Sequence, residues 1–291
     1  MNAQFILGDV LARVCDLPSD TFDAMLVDPP YGLGAAHDVE KALQAWLGGE
    51  DARVNQSDFM GKDWTLPSPT VWREVKRVLK PGAFALVFAG ARTQDLMGVS
   101  LRLAGFESRD TLMWVYADKR PPGTDVSRAL DKARGVVRGP GDAPVTVDAQ
   151  RWAGYHSALK PAYEPILVVR KPTGETFAEN ALERGCGVLN MNGRGDGGRS
   201  PANVVLDEDA AAMLDEQAGV LRSGAEPEGG LVRRADQNRH VYGAFAGHTA
   251  PGATYGDAGG ASRFFYCARA SRAERHRRAG FAGAPTSPSN R

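Results

Sequence analysis

Short apolar runs separated by stretches of helical spacing constrain this chain more than any other feature. QFILG (4 to 8), AMLVD (24 to 28), FALVFAG (84 to 90), DTLMWVY (110 to 116) and ILVV (166 to 169) are too short for helices and too continuous for half-exposed ribbons. They read as strands buried on both faces. Between the first two, LARVCDL is a short helix or connection. SPTVWREVKRVLKPG has Ser68 as a cap and Pro69 at the first helical position. Its Val71, Val75, Val78 and Leu79 share one face, and Pro81-Gly82 form the stop. TQDLMGVSLRLAGF is the next helix. Strands alternating with helices predict an α/β fold, a doubly wound and mostly parallel sheet covered on both faces.

From Lys119 to Tyr155 the periodicity fades, predicting a loop with one short basic helix. Beyond Thr173 the chain is rich in Gly, Asn and Asp, with a strand at ANVVL and a helix after Asp207, and residues 221 to 260 read as mostly loop. Gly193, Gly195 and Gly198 match GxGxxG, but Pro201 follows and no strand or helix flanks them, so they read as a polar turn rather than a cofactor loop.

The 291 residues include 43% apolar ones, enough for a sizeable core, yet no run reaches the ~18 that a membrane helix needs. MNAQFILGDV lacks the basic flank of a signal peptide, which places the chain in the cytoplasm with no membrane partner. Cys15, Cys186 and Cys267 lie far apart and form no CxxC pair, so neither a disulfide framework nor a metal site is expected. Net charge is zero and points to no polyanionic partner. The arginines Arg263, Arg269, Arg272, Arg275, Arg277, Arg278 and Arg291 face one acid, Glu274, at the C-terminal end, as a phosphate-tracking cluster or a solvated tail.

One stretch carries chemistry. MLVDPPYGLG (25 to 34) puts Asp28, Pro29, Pro30 and Tyr31 at the carboxyl end of a predicted parallel strand, where open α/β sheets hold their ligands. These residue types suit the exocyclic amine of a nucleobase, whose lone pair is delocalised into the ring. The Asp28 carboxylate and the Pro29 carbonyl would accept from its two N–H bonds, localise the lone pair and meet the positive charge of the attacking nitrogen. The prolines fix φ and add no N–H donors. Tyr31 offers a flat face for an extruded base, and Gly32 lets the backbone turn away.

The ordered series FILGDVLARVCDLPSDTFDAMLVDPPYGLG, FMGKDW, WREVKRVLKPGAFALVFAGAR, LRLAGFESRDTLMWVY, HSALKPAYEPILVVRKP, SPANVVLDEDAA and SRFFYCARASRAER resembles the S-adenosylmethionine-dependent DNA amino-methyltransferases of bacteria and phages. It is most similar to the adenine-N6 group in which DPPY comes early and FxGxG last. The resemblance covers nearly the whole chain to about Arg275. It implies a methyltransferase-type sheet, S-adenosyl-L-methionine as cofactor and double-stranded DNA as partner. It gives Asp28, Pro29 and Tyr31 the target amine, with Pro30 completing the motif, and Asp9 the adenosine of the cofactor beside Asp28. Lys62 and Trp64 of GKDW fall on the active-site side, or on a surface loop. Lys160 and Glu164 read as structural. Residues 1–172 then form the catalytic core, 173–261 a Gly-rich target-recognition insertion, and 262–291 a return segment with a basic tail. Arg199, Arg233, Arg234, Arg239 and the terminal arginines become candidates for DNA contacts.

Family members continue into HPTVKP and a strand ending in DPFxGxG. This chain runs HRRAGFAGAPTSPSNR after Glu274. The expectation is an incomplete sheet, exposed apolar edges and a second polypeptide carrying the remaining cofactor-binding segment. The open alternatives are a cytosine-N4 methyltransferase, which uses the same amine chemistry, and a catalytically incomplete DNA-binding remnant. Asp28 weighs against RNA or protein-amide methylation, where relatives carry Asn.

Overall fold

The structure, a computed structural model, describes residues 4–34, 39–54, 62, 64–117, 123–191, 201–223, 231–232, 249–250 and 256–267. The chain divides into two compact units, Met1–Leu189 and Asn190–Arg291.

In the first unit the strands β1 (Phe22–Val27), β2 (Leu79–Phe88), β3 (Glu107–Val115) and β4 (Tyr163–Arg170) lie in the order β1-β2-β4-β3. β1 and β2 are parallel, and β4 is antiparallel to both β2 and β3. Thus β1, β2 and β3 share one direction while β4 runs back between the last two. The α/β class is as expected, but this sheet is mixed rather than mostly parallel. The reason lies in the connections: β4 returns from the end of β3 as the second arm of a long hairpin, whereas helices at Pro69–Val78 and Gln94–Leu103 carry the chain between the parallel strands.

The helices are α1 (Val10–Cys15), α2 (Val39–Leu47), α3 (Pro69–Val78), α4 (Gln94–Leu103), α5 (Val126–Ala133), α6 (Val147–Arg151) and α7 (Phe177–Arg184). Trp46 of α2, Trp72 of α3, and Met97 and Leu101 of α4 form one core with Ala83, Ala85 and Val87 of β2. Pro69 opens α3 as predicted, but the Ser68 side chain makes no capping bond. Instead α3 ends at Val78 and the chain enters β2 directly, so LKPG belongs to the strand and not to the helix. Pairing jumps from Phe22↔Leu79 to Ala24↔Phe84, and this irregularity houses Pro81 and Gly82, where proline is tolerated in a sheet. Gly82 has φ +80°, and a Cβ there would collide with the Asn180 side chain of α7. Asn180 in turn donates to the Cys186 carbonyl at 2.9 Å, and the buried Cys186 thiol donates to the Pro81 carbonyl at 3.6 Å, which ties this segment beyond Thr173 to β2.

QFILG is not a strand: residues 4–8 are irregular, with Phe5 and Leu7 exposed. A backbone run becomes a strand only where its N–H and C=O groups find a neighbouring strand, and among the described residues β1 pairs with β2 alone. β1 is accordingly exposed over most of its length, with Leu26 71% accessible, whereas β2 is buried.

The segment expected to be a loop with one short basic helix is a folded module, and the basic helix falls at α5. The β3–β4 ladder continues past the sheet, with Tyr116 N–H donating to Ala162 O at 3.0 Å and Asp125 bridging His156, and α5 and α6 sit at its tip. Asp131, fully buried, binds them together. It accepts from Val145 N, Thr146 N, the Thr146 hydroxyl and Arg138 Nη1 at 2.7–3.2 Å.

In the second unit, β5 (Val204–Leu206) pairs in parallel with β10 (Tyr266–Cys267), and α8 (Glu208–Ala218) starts at Asp207, which caps Ala210 N–H. The strand and helix fall where the sequence predicts them. Asp215 of α8 accepts from Ser262 N and Oγ at 2.7 and 2.8 Å. Two short antiparallel pairs complete the described part, β6 (Leu221–Arg222) with β9 (Ala258–Gly259) and β7 (Leu231–Val232) with β8 (Thr249–Ala250). No helix among the described residues is long and apolar enough to cross a membrane.

Candidate active site

The strand directions bring four chain segments to one edge of the first unit's sheet. β1 ends there at Val27, β2 at Phe88 and β3 at Val115, and β4 begins there at Tyr163. Residues 28–31 therefore leave the sheet beside Ala89, Gly90 and Glu164. Asp28 is exposed, Pro29 is buried and Tyr31 is half-buried. Pro29 anchors the turn while the carboxylate before it stays in solvent, a separation that two consecutive fixed-φ residues hold stiffly. Among the described residues no donor reaches the Pro29 carbonyl. Gly32, at φ +69°, then turns the backbone in a way that other residues rarely adopt.

Tyr31 is held at both ends. The Thr93 hydroxyl donates to its carbonyl at 2.6 Å, and its own hydroxyl donates to Glu164 Oε2 at 3.2 Å, across more than a hundred residues of sequence. Gly90 lies close beneath the start of this side chain: a Cβ there would stand 3.3 Å from Tyr31 Cβ and 3.0 Å from Leu33 and Thr93. Burial raises the Tyr31 phenol pKa, and the Asp28 and Glu164 carboxylates raise it further, so the hydroxyl stays protonated and acts as a donor. Phe88, Trp114 and Tyr116 form an edge-to-face aromatic series on the same strands, with centroids 5.9 and 6.3 Å apart.

The remaining sequence candidates are dispersed. The Asp9 carboxylate is exposed and caps α1 by accepting from Ala12 N–H at 3.0 Å. Lys62 and Trp64 are exposed, the latter by 51%. Lys160 is exposed too, on an open cavity of about 450 Å³ lined by residues 154 and 156–160. Arg263 has its guanidinium engaged by the Asp257 carboxylate and the Gly259 and Gly260 carbonyls, and it stacks on Phe264, so it is no free phosphate ligand. Arg199, Arg233, Arg234, Arg239, the arginines after Cys267 and the GRGDGG glycines lie outside the described residues.

Sequence reasoning missed Glu164 and Thr93 as partners of Tyr31. The only signal for Glu164 was its place at the start of a strand entering the same edge. Which strand it would enter beside depends on long-range pairing, which local pattern does not encode.

No family model matches the chain. It is 26% identical over 214 residues to the type II methyltransferase M.HindIII of Haemophilus influenzae, a match covering 64% of this chain and 64% of that one. Among solved structures, TTHA0409 of Thermus thermophilus aligns over 60% of this chain and 56% of its own, with 18% identity and a TM-score of 0.31. M1.HpyAVI aligns over 57% and 53%, with 15% identity and a TM-score of 0.30. The chain thus spans a little under two thirds of the curated relative's length, and over that span it is similar in sequence to a type II methyltransferase.

Proposed function

We propose that the chain carries the amine-binding part of a DNA methyltransferase that moves a methyl group from S-adenosyl-L-methionine to adenine N6 in double-stranded DNA, after the base leaves the helix. The observation that carries this reading is the exposed Asp28 carboxylate at the tip of β1, with the buried Pro29 behind it and the Tyr31 ring tethered beside it. The kinship with a type II methyltransferase supports it.

The chain's residues divide the work. Asp28 and the Pro29 carbonyl accept from the two N–H bonds of the amine and so localise its lone pair. The charge that develops on nitrogen is met by the Asp28 carboxylate, and solvent at this exposed site takes the released proton. Tyr31 stacks on the base, and Gly32, Lys62 and Trp64 border the substrate. The exposed Asp9 carboxylate lies two residues from the fully exposed Leu7, a pairing of acceptor and apolar surface that fits the amine and plane of an adenine ring. Asp9 would hold the cofactor's nucleoside there, together with Asp28. When bound, S-adenosyl-L-methionine supplies a methyl group on a positively charged sulfur.

The exposed edge of β1 favours a second version, in which a strand from another polypeptide must pair there before transfer occurs. DNA incubated with methyl-labelled cofactor and digested to nucleosides tests both. Label in N6-methyladenine that is lost with Asp28→Ala is the expected result. Label in N4-methylcytosine would reassign the base, and label appearing only with a companion polypeptide would establish the second version. No label under any condition would leave a DNA-binding remnant.

A further inference from the structure

The Tyr31 hydroxyl has one proton and two carboxylates bearing on it, Asp28 and Glu164. Both lie close enough to the hydroxyl to compete for that proton. The hydrogen bond goes to Glu164, at 3.2 Å, which β4 brings in from the antiparallel side of β2. Asp28 is the carboxylate left in solvent.

We propose that Glu164 is a positioning residue: by accepting the phenolic proton of Tyr31 it keeps that hydroxyl off Asp28 and leaves the Asp28 carboxylate open to the incoming amine. This rests on the reading of the site as an amine-binding one. The architecture gives the idea its force. Thr93 holds the main chain of Tyr31 by donating to its carbonyl, and a Cβ at Gly90 would stand only 3.3 Å from Tyr31 Cβ. From that anchored backbone the hydroxyl lies between two acids, Glu164 and Asp28. Without Glu164 it turns to Asp28, adds a competing donor to the acceptor that the substrate needs, and tilts the stacking face.

A suppressor experiment tests this. Glu164→Ala is expected to lower methyl transfer about tenfold, the scale of a hydrogen bond to a charged group. Glu164→Gln keeps an acceptor oxygen and is expected to retain activity within about threefold. The decisive variant is Glu164→Ala/Tyr31→Phe, which lacks the competing hydroxyl and is expected to be more active than Glu164→Ala alone. A structural role for Glu164 would instead make the double variant as impaired as Glu164→Ala or worse, and that result overturns the proposal. Thermal melting of each variant separates misfolding from lost positioning. A crystal structure of Glu164→Ala gives an arm that needs no activity. A Tyr31 hydroxyl that has moved closer to Asp28 than in the wild type supports the proposal, and a hydroxyl turned to solvent overturns it. If wild type transfers no methyl group, or transfers undiminished with Asp28→Ala, it is the reading of the site that fails, and the crystallographic arm still decides where the hydroxyl goes.

Discussion

Two residues show how one position acts on chemistry and another on the fold. Asp28 is exposed, so replacing it should leave stability nearly unchanged while removing the charge that meets the developing cation. Asp28→Ala is expected to lower transfer by at least ~100-fold, the scale of an electrostatic contact made at the transition state. Asp28→Asn, which keeps an acceptor oxygen, should fall between the two, and steady-state rates with unchanged melting curves would verify the order. Gly82 is the opposite case. At φ +80° and with the Asn180 amide where its Cβ would be, Gly82→Ala is expected to cost about 1–3 kcal/mol in urea unfolding. Activity per folded molecule should stay the same. A neutral Gly82→Ala would mean that α7 does not rest on the β2 irregularity.

Among elements, the α5–α6 module turns on a single buried acid. Burial alone would push the Asp131 carboxyl up, but the Thr146 and Val145 amides, the Thr146 hydroxyl and Arg138 outweigh it and hold its pKa at about 2, below the ordinary 3.8. A depressed carboxyl contributes its stability above the unfolded value and loses it as pH falls through the folded one. The module is therefore expected to hold down to about pH 4 and to melt as pH approaches 2, when Asp131 takes a proton. Trp152, whose ring lies 5.0 Å from that of Tyr155, should report the change by fluorescence. Asp131→Asn, which leaves Arg138 without its ion partner, should melt the module at neutral pH at lower temperature than wild type. A pH-independent signal between about 4 and 2 would dismiss this account. The module also shows the limit of local pattern: the basic helix at α5 was legible, but the module's cohesion comes from one acid gathering donors from a later loop, which no apolar periodicity announces.

On the scale of the whole molecule, β1 stands out as a strand that exposes large apolar side chains, with Phe22 and Leu26 open to solvent as Phe5 and Leu7 are before it in the chain. Such an edge favours pairing with another chain. The protein is expected to self-associate as its concentration rises, by gel filtration with light scattering. Leu26→Lys should reduce that association while changing stability by no more than about 0.5 kcal/mol, since Leu26 has little burial to lose. A wild-type chain that stays monomeric at every concentration, with Leu26→Lys indistinguishable from it, would show the edge to be inert.

The sequence by itself determined the alternation of strands and helices, the position of α3 and α4, the strand and helix at 204–218, and Asp28 through Tyr31 at a strand tip. Each rests on neighbours within a few positions: apolar spacing, a proline at a helix start, a turn after a strand. Only the tertiary structure decided that QFILG joins no strand ladder among the described residues, that β4 runs back between β2 and β3, and that Glu164 meets Tyr31. Those outcomes depend on which distant segments lie side by side. Strand pairing is settled by the summed burial and hydrogen bonding of whole elements, and no short window of residues carries that sum.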